Sequence, residues 1–187
     1  MYYGKYKNIR NSTWHCLVEC GVTSLPIKVA SIVKYYGGLI CKNSEVNLLA
    51  PNQSGKTYFI SESEWYIVVD DSDSIKRQRH TIMHELGHFL LGHFGDSPIS
   101  NSYSEIKPKE EIEADSFAVR MLAPACVLWG LDLHSSVEID KVCNILYAAA
   151  RNRSDRMKIL YKRNKFLTHP LERIVYKQFE DFIKNNR

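Results

Sequence analysis

No run of uninterrupted apolar residues approaches the roughly 20 that a membrane-spanning helix requires, and Met1-Tyr2-Tyr3-Gly4-Lys5 opens without the apolar stretch of a secretory leader. The expectation is a cytosolic protein with no membrane partner. Paired cysteines are also missing. The five, at positions 16, 20, 41, 126 and 143, are odd in number and scattered, which excludes a secreted disulfide framework and a zinc ribbon. They read as reduced thiols. Cys16 and Cys20 stand near His15, but no second ligand pair follows at ribbon spacing, so packing is their expected role. Internal repeats and low-complexity linkers are absent too. With 44% hydrophobic residues over 187 positions the chain can bury a real core, which excludes disorder as its general state.

The net charge of +4 is modest but unevenly spread. Residues 61–115 hold 12 acidic and 5 basic groups, whereas 151–187 hold 4 and 11. A basic tail can touch nucleic acid or an acidic protein surface, and equally can be a solvated helix face.

The stretch with the most chemistry is His80-Thr81-Ile82-Met83-His84-Glu85-Leu86-Gly87-His88-Phe89-Leu90-Leu91-Gly92-His93. It contains H-E-x-x-H, which on a helix sets His84 and His88 one turn apart on one face, where two imidazoles can hold one zinc ion. Glu85 is the candidate general base. At 100° per residue Ile82, Leu86 and Phe89 fall opposite the two histidines, as a half-buried zinc helix needs. His80 shares the metal-facing side but lies two turns, about 12 Å, from His88, too far for all three to ligate one ion. His93 falls on the apolar side and reads as structural. A further ligand must come from elsewhere.

Around this stretch the elements read as follows. A helix from Pro26 closes at Gly37-Gly38, and a short strand at Leu39-Ile40-Cys41 follows. Lys56 to Ser61 and Trp65 to Asp70 read as two strands joined by a polar turn, a small antiparallel sheet. Asp70 to Ser74 is rich in capping residues, so the zinc helix is predicted from Ile75 to about Leu91. The polar segment from Gly92 to Lys107 reads as a loop over the metal.

A second informative helix opens at Pro108 and closes before Pro124. Taking Glu111 as origin, Asp115, Ala118 and Leu122 lie within about 40°, while Lys109, Glu113, Ser116 and Arg120 share the polar side. A carboxylate on the inner face needs a partner, and a metal is one; Asp115, one turn on, is placed to accept a hydrogen bond from a ligating histidine. The alternative is that all these acids face solvent. Beyond Pro124, a helix starting near Ser135-Ser136 and another from about Leu146 to Lys162 form a tight pair like a helix-turn-helix. Thr168 and Pro170 start a last helix through Ile183, with Leu171, Ile174, Val175, Phe179 and Phe182 as its apolar stripe.

Two segments, Arg77-Gln78-Arg79-His80-Thr81-Ile82-Met83-His84-Glu85-Leu86-Gly87-His88-Phe89-Leu90-Leu91 and Glu111-Ile112-Glu113-Ala114-Asp115-Ser116-Phe117-Ala118-Val119-Arg120-Met121-Leu122-Ala123-Pro124, together resemble the ImmA/IrrE zinc metallopeptidases of bacteria and their mobile elements. The first is similar to the family's zinc helix, the second to its E-x-x-A-[DN]-x-F-A block ending in Leu-x-Pro, and the resemblance covers roughly residues 26–160. It implies an α+β fold with a zincin-like metallopeptidase core, here over residues 1–134, and a helical C-terminal region over 135–187, helix-turn-helix-like in part. By motif position it makes His84, His88 and Glu111 the zinc ligands and Glu85 catalytic. It also implies proteolysis of a helix-turn-helix repressor, derepressing genes of a mobile element or a stress response.

The leading expectation is therefore a zinc endopeptidase, with an oxyanion donor supplied by His80, Tyr103 or Arg79. A zinc-containing antirepressor that sequesters its repressor without cutting it is a second class; Glu85, which a structural site does not need, argues against it. A DNA-binding regulator built on the basic C-terminal helices is a third, expected to be distinguished by salt-dependent DNA affinity.

Overall fold

The computed structural model of the protein describes residues 9–61, 64–94 and 108–187. These are α+β, with one small three-stranded sheet and otherwise helices. They gather into two compact units, one formed by the described residues up to Ser12 and by 28–118, the other by 13–27 and 119–187. The boundary read from the sequence at 134/135 lies inside the second unit. Helix α1 (Ile9–Glu19) was not legible in the sequence. Ser12, Thr13, Trp14, Cys16 and Leu17 are all buried, so the helix is covered on several sides and shows no amphipathic period.

In the first unit α2 (Val29–Tyr35) leads into β1 (Gly38–Lys42), then α3 (Asn43–Val46), β2 (Gly55–Phe59), β3 (Trp65–Val69) and α4 (Ile75–Leu91). The strand order is β1-β3-β2. Central β3 buries Trp65, Ile67, Val68 and Val69, the near-continuous apolar run expected of a strand covered on both faces. The β2–β3 pair is antiparallel, with Thr57 opposite Ile67. The β1–β3 pair is parallel, with Gly38 opposite Trp65 and Lys42 opposite Val69. The antiparallel pair expected from sequence is there, and β1 joins it in parallel to make a mixed sheet. A tight turn fixes the direction of β2 against β3 only; the longer path from β1 through α3 and β2 lets the chain return parallel.

Helix α4 packs on β2 and β3 and starts and stops on local signals. Ser74 Oγ accepts from the Arg77 N–H at 3.3 Å, and Gly92 ends the helix in the left-handed conformation, φ 78°. Met83, Leu86, Phe89 and Leu90 are buried beneath it. Phe89 stacks on Trp65 with ring centroids 4.3 Å apart, and Phe59 meets Phe94 edge-on at 5.1 Å. Each large apolar side chain buried there contributes roughly 1.5–3 kcal/mol. The other face of α4 is left to the histidines.

Helix α5 (Pro108–Leu122) lies within the first unit as far as Ala118. The second unit holds α6 (Ala125–Gly130), α7 (Ser136–Cys143), α8 (Tyr147–Arg163), α9 (Pro170–Gln178) and α10 (Glu180–Asn186). A capping box between Ser135 and Glu138 starts α7. Arg153, buried in α8, donates from Nε to the Ala123 carbonyl at 2.6 Å. Gln178 Nε2 donates to the carbonyls of Leu17 and Val22 at 2.8 and 2.6 Å, tying residues 13–27 to α9. The single last helix expected to run to Ile183 is two, meeting at Phe179; Val175, Phe179 and Ile183 are buried while Ile174 is exposed.

All five cysteines are free. Among the described residues no helix is long and apolar enough to cross a membrane.

Candidate metal centre

Two local features bring α4 and α5 together. The i, i+4 spacing puts His84 and His88 on one face of α4, their ring centroids 4.6 Å apart. Between them Gly87 lets α5 approach closely: a Cβ there would stand 3.1 Å from Phe117 Cδ1 and 3.3 Å from the Ala114 backbone. At that distance the first turns of α5 reach the two histidines, and Glu111 meets both.

Nε2 of His84 and Nε2 of His88 lie 2.9 Å apart. Glu111 Oε2 is 3.2 Å from His84 Nε2, and its Oε1 is 3.6 Å from His88 Nε2. Among the described residues this is the group of three His, Cys, Asp or Glu side chains whose ligand atoms converge within 4.8 Å. Donors about 2.0–2.1 Å from one tetrahedral ion stand about 3.3 Å from each other, so the trio matches the spacing of three ligands on a single metal. Two imidazoles and a carboxylate suit zinc, and equally manganese or iron.

The expected partner of His84 is in place. Asp115 Oδ1 is 2.8 Å from His84 Nδ1, which orients the ring and leaves Nε2 toward the cluster. Burial pulls the His84 pKa down, but the Asp115 hydrogen bond and the charges of Glu85, Asp115 and Glu111 outweigh it and leave the group above its ordinary value. His88 is almost wholly buried, and burial, with the nearby positive charges that His84 and His93 would carry, pushes it down to about 3. It is a neutral imidazole across the physiological range.

Glu85 stands beside the cluster without belonging to it. Its Oε2 accepts from the Thr57 backbone N–H and from the Thr57 hydroxyl, each at 2.8 Å. Burial raises the Glu85 carboxyl above its ordinary pKa, against the Thr57 hydrogen bonds and the His84 charge, which lower it. Thr57 was missed in the sequence, where nothing in Lys56-Thr57-Tyr58 marks it; only the sheet register sets it under α4.

Of the three oxyanion-donor candidates, His80 has its ring 6.4 Å from that of His84, and burial holds its pKa below the ordinary value. Arg79 is half-buried, and five residues along an ideal helix put it about 140° around α4 from His84. Tyr103 lies outside the described residues, as does the part of the expected loop from 95 to 107. His93 has a contact that its wheel position did not reveal: its Nδ1 is 2.8 Å from His88 Nδ1, and its Nε2 is 3.3 Å from Glu113 Oε2. Glu111, read as inward-facing, is half exposed, whereas Glu113, read as facing water, is the more covered at 30%.

The arrangement could hold a metal ion on two imidazoles and a carboxylate, with a further carboxylate adjoining, a donor set of the kind found in metallopeptidases. The family model that describes the IrrE N-terminal-like domain, Peptidase_M78, matches residues 41–153, and the chain belongs to that peptidase family. Among curated proteins none matches the chain.

Proposed function

We propose that the chain is a zinc-dependent endopeptidase with a zincin-like core, and that it cuts a helix-turn-helix transcriptional repressor, derepressing genes of a mobile element or a stress response. The observation that carries the enzymatic part is Glu85: a carboxylate beside the ligands, fixed through one oxygen by Thr57, with its other oxygen lacking a hydrogen-bond partner among the described residues. A purely structural site has no use for it.

Zinc held by His84, His88 and Glu111 would supply Lewis acidity, polarising a peptide carbonyl and lowering the pKa of water from 15.7 toward about 7. Glu85 then takes the proton of the attacking water through Oε1 as the oxygen adds to the carbonyl carbon. It hands that proton to the amine nitrogen as the C–N bond breaks. Its raised pKa brings it nearer the working pH, which favours both transfers. His80, kept neutral by burial, can offer one N–H to the developing oxyanion.

Direct reading of DNA is not part of this proposal, because Val175, Phe179 and Ile183 commit the apolar side of the basic C-terminal helices to packing. The repressor assignment is tested with any helix-turn-helix protein found among the genes that neighbour this one. Incubation should shorten that repressor, a chelator should stop the cleavage, and added zinc should restore it. A repressor left intact under all three conditions contradicts the assignment.

A further inference from the structure

We infer that His93 and Glu113 are positioning residues that fix the tautomer and orientation of His88. This deepens the metal-site reading and rests on it. The argument starts at the end of α4. Gly92, in the left-handed conformation, closes a Schellman turn in which the Gly92 N–H reaches the Phe89 carbonyl and the His93 N–H reaches the His88 carbonyl at 3.0 Å. That turn folds His93 back onto the last helical turn. Where such motifs usually seat an apolar side chain, this one seats an imidazole, 6% exposed, with ring centroids 4.9 Å from His88 at an angle of 70°.

The hydrogen-bond polarity follows from the ligand atoms. If Nε2 of His88 faces the metal, its Nδ1 carries the proton, and the acceptor 2.8 Å away is Nδ1 of His93. A neutral His93 with a bare Nδ1 holds its proton on Nε2, and that nitrogen is 3.3 Å from Glu113 Oε2. Lys109 Nζ lies 3.7 Å from Glu113 Oε1 on the same helix. Each ligating imidazole is thus backed by an acid from α5: His84 directly by Asp115, His88 through His93 by Glu113. The two acids lie on either side of Ala114, which is fully buried against α4.

The test compares zinc affinity by chelator competition, with the visible spectrum of the cobalt-loaded protein as a second readout. His93→Leu keeps the bulk and removes the acceptor, so affinity should fall roughly ten- to a hundredfold and the cobalt bands should shift. His93→Asn puts an oxygen at the same number of bonds from the backbone as the lost Nδ1, and should restore affinity to within about threefold and restore the spectrum. Glu113→Gln should weaken binding in the same direction, by less. Wild-type affinity in His93→Leu overturns the inference, as do equal losses in His93→Leu and His93→Asn, which would mean packing alone. If His93→Leu does not fold, wild-type affinity in Glu113→Gln overturns it. Failure of the underlying site reading looks different: there His88→Ala would bind zinc as well as the wild type.

Discussion

Oε2 of Glu85 accepts both hydrogen bonds that Thr57 can offer it, from the backbone N–H and from the hydroxyl, each at 2.8 Å. The strand thereby orients the acid, so the position of this carboxylate depends on β2 as well as on α4. Thr57→Val keeps the β-branched shape and the backbone bond but loses the hydroxyl. A hydrogen bond to a charged group contributes about 1.5–3 kcal/mol, so kcat should fall roughly ten- to a hundredfold with KM little changed. Thr57→Ser should stay close to the wild type. Steady-state kinetics on a cleaved substrate decide it, and an unchanged kcat in Thr57→Val would show that β2 does not orient the base.

Gly87→Ala tests the approach of the two helices. The added Cβ meets Phe117 Cδ1 at 3.1 Å and the Ala114 backbone at 3.3 Å, and the backbone cannot swing aside. Overpacking costs about 1–3 kcal/mol, partly offset by the roughly 1 kcal/mol better helix propensity of alanine. Because the strain pushes α5, and with it Glu111, away from His84 and His88, zinc affinity should drop by more than thermal stability does. A variant with wild-type zinc affinity would show that Glu111 does not depend on this contact.

Proton and metal compete for the same nitrogens, and the two histidines differ in how they compete. His84 has its pKa raised above the ordinary value, whereas His88, at about 3, is neutral throughout the physiological range. Only His84 must therefore lose a proton as zinc binds. Apparent zinc affinity should fall as pH drops through the His84 pKa, by about tenfold per pH unit below it, and level off above it. Chelator competition across this range, corrected for the chelator's own protonation, measures the slope. A flat profile, or a hundredfold loss per unit, would contradict the assignment of one titrating ligand.

Helix α4 was legible from the sequence because its signals are local: Ser74 caps it, Gly92 stops it, and the 3.6-residue period sorts Leu86 and Phe89 from His84 and His88. One helix further on the same period put Glu111 and Asp115 on one face, as they are, but it misjudged cover: Glu111 is half exposed and Glu113 the more covered. The hairpin of β2 and β3 was read from its turn and β1 as a short strand, but not its parallel pairing with β3, since nothing local records which way a longer connection returns. Thr57 escaped because a strand register, not a motif, brings it to Glu85. The contacts of His93 were illegible for a different reason. On an ideal wheel it falls opposite His84, but the helix has ended by then, and the left-handed Gly92 turns the chain so that the wheel no longer applies. The missed α1 has another cause: buried on several sides, it carries no amphipathic period.

The account turns on Glu85 moving a proton, and Glu85→Gln tests that most directly. Glutamine keeps the size and can still accept from Thr57, but it cannot take a proton from water. The variant should therefore retain fold, zinc and repressor binding while cleavage falls on the order of a hundredfold or more. Wild type and variant are each mixed with the cognate repressor bound to its operator, and repressor mass is followed alongside operator release. The account predicts a shortened repressor and released operator with the wild type, and an intact repressor with the variant. Equal operator release by both proteins, with the repressor intact in each case, would contradict it and make the protein one that acts by binding alone.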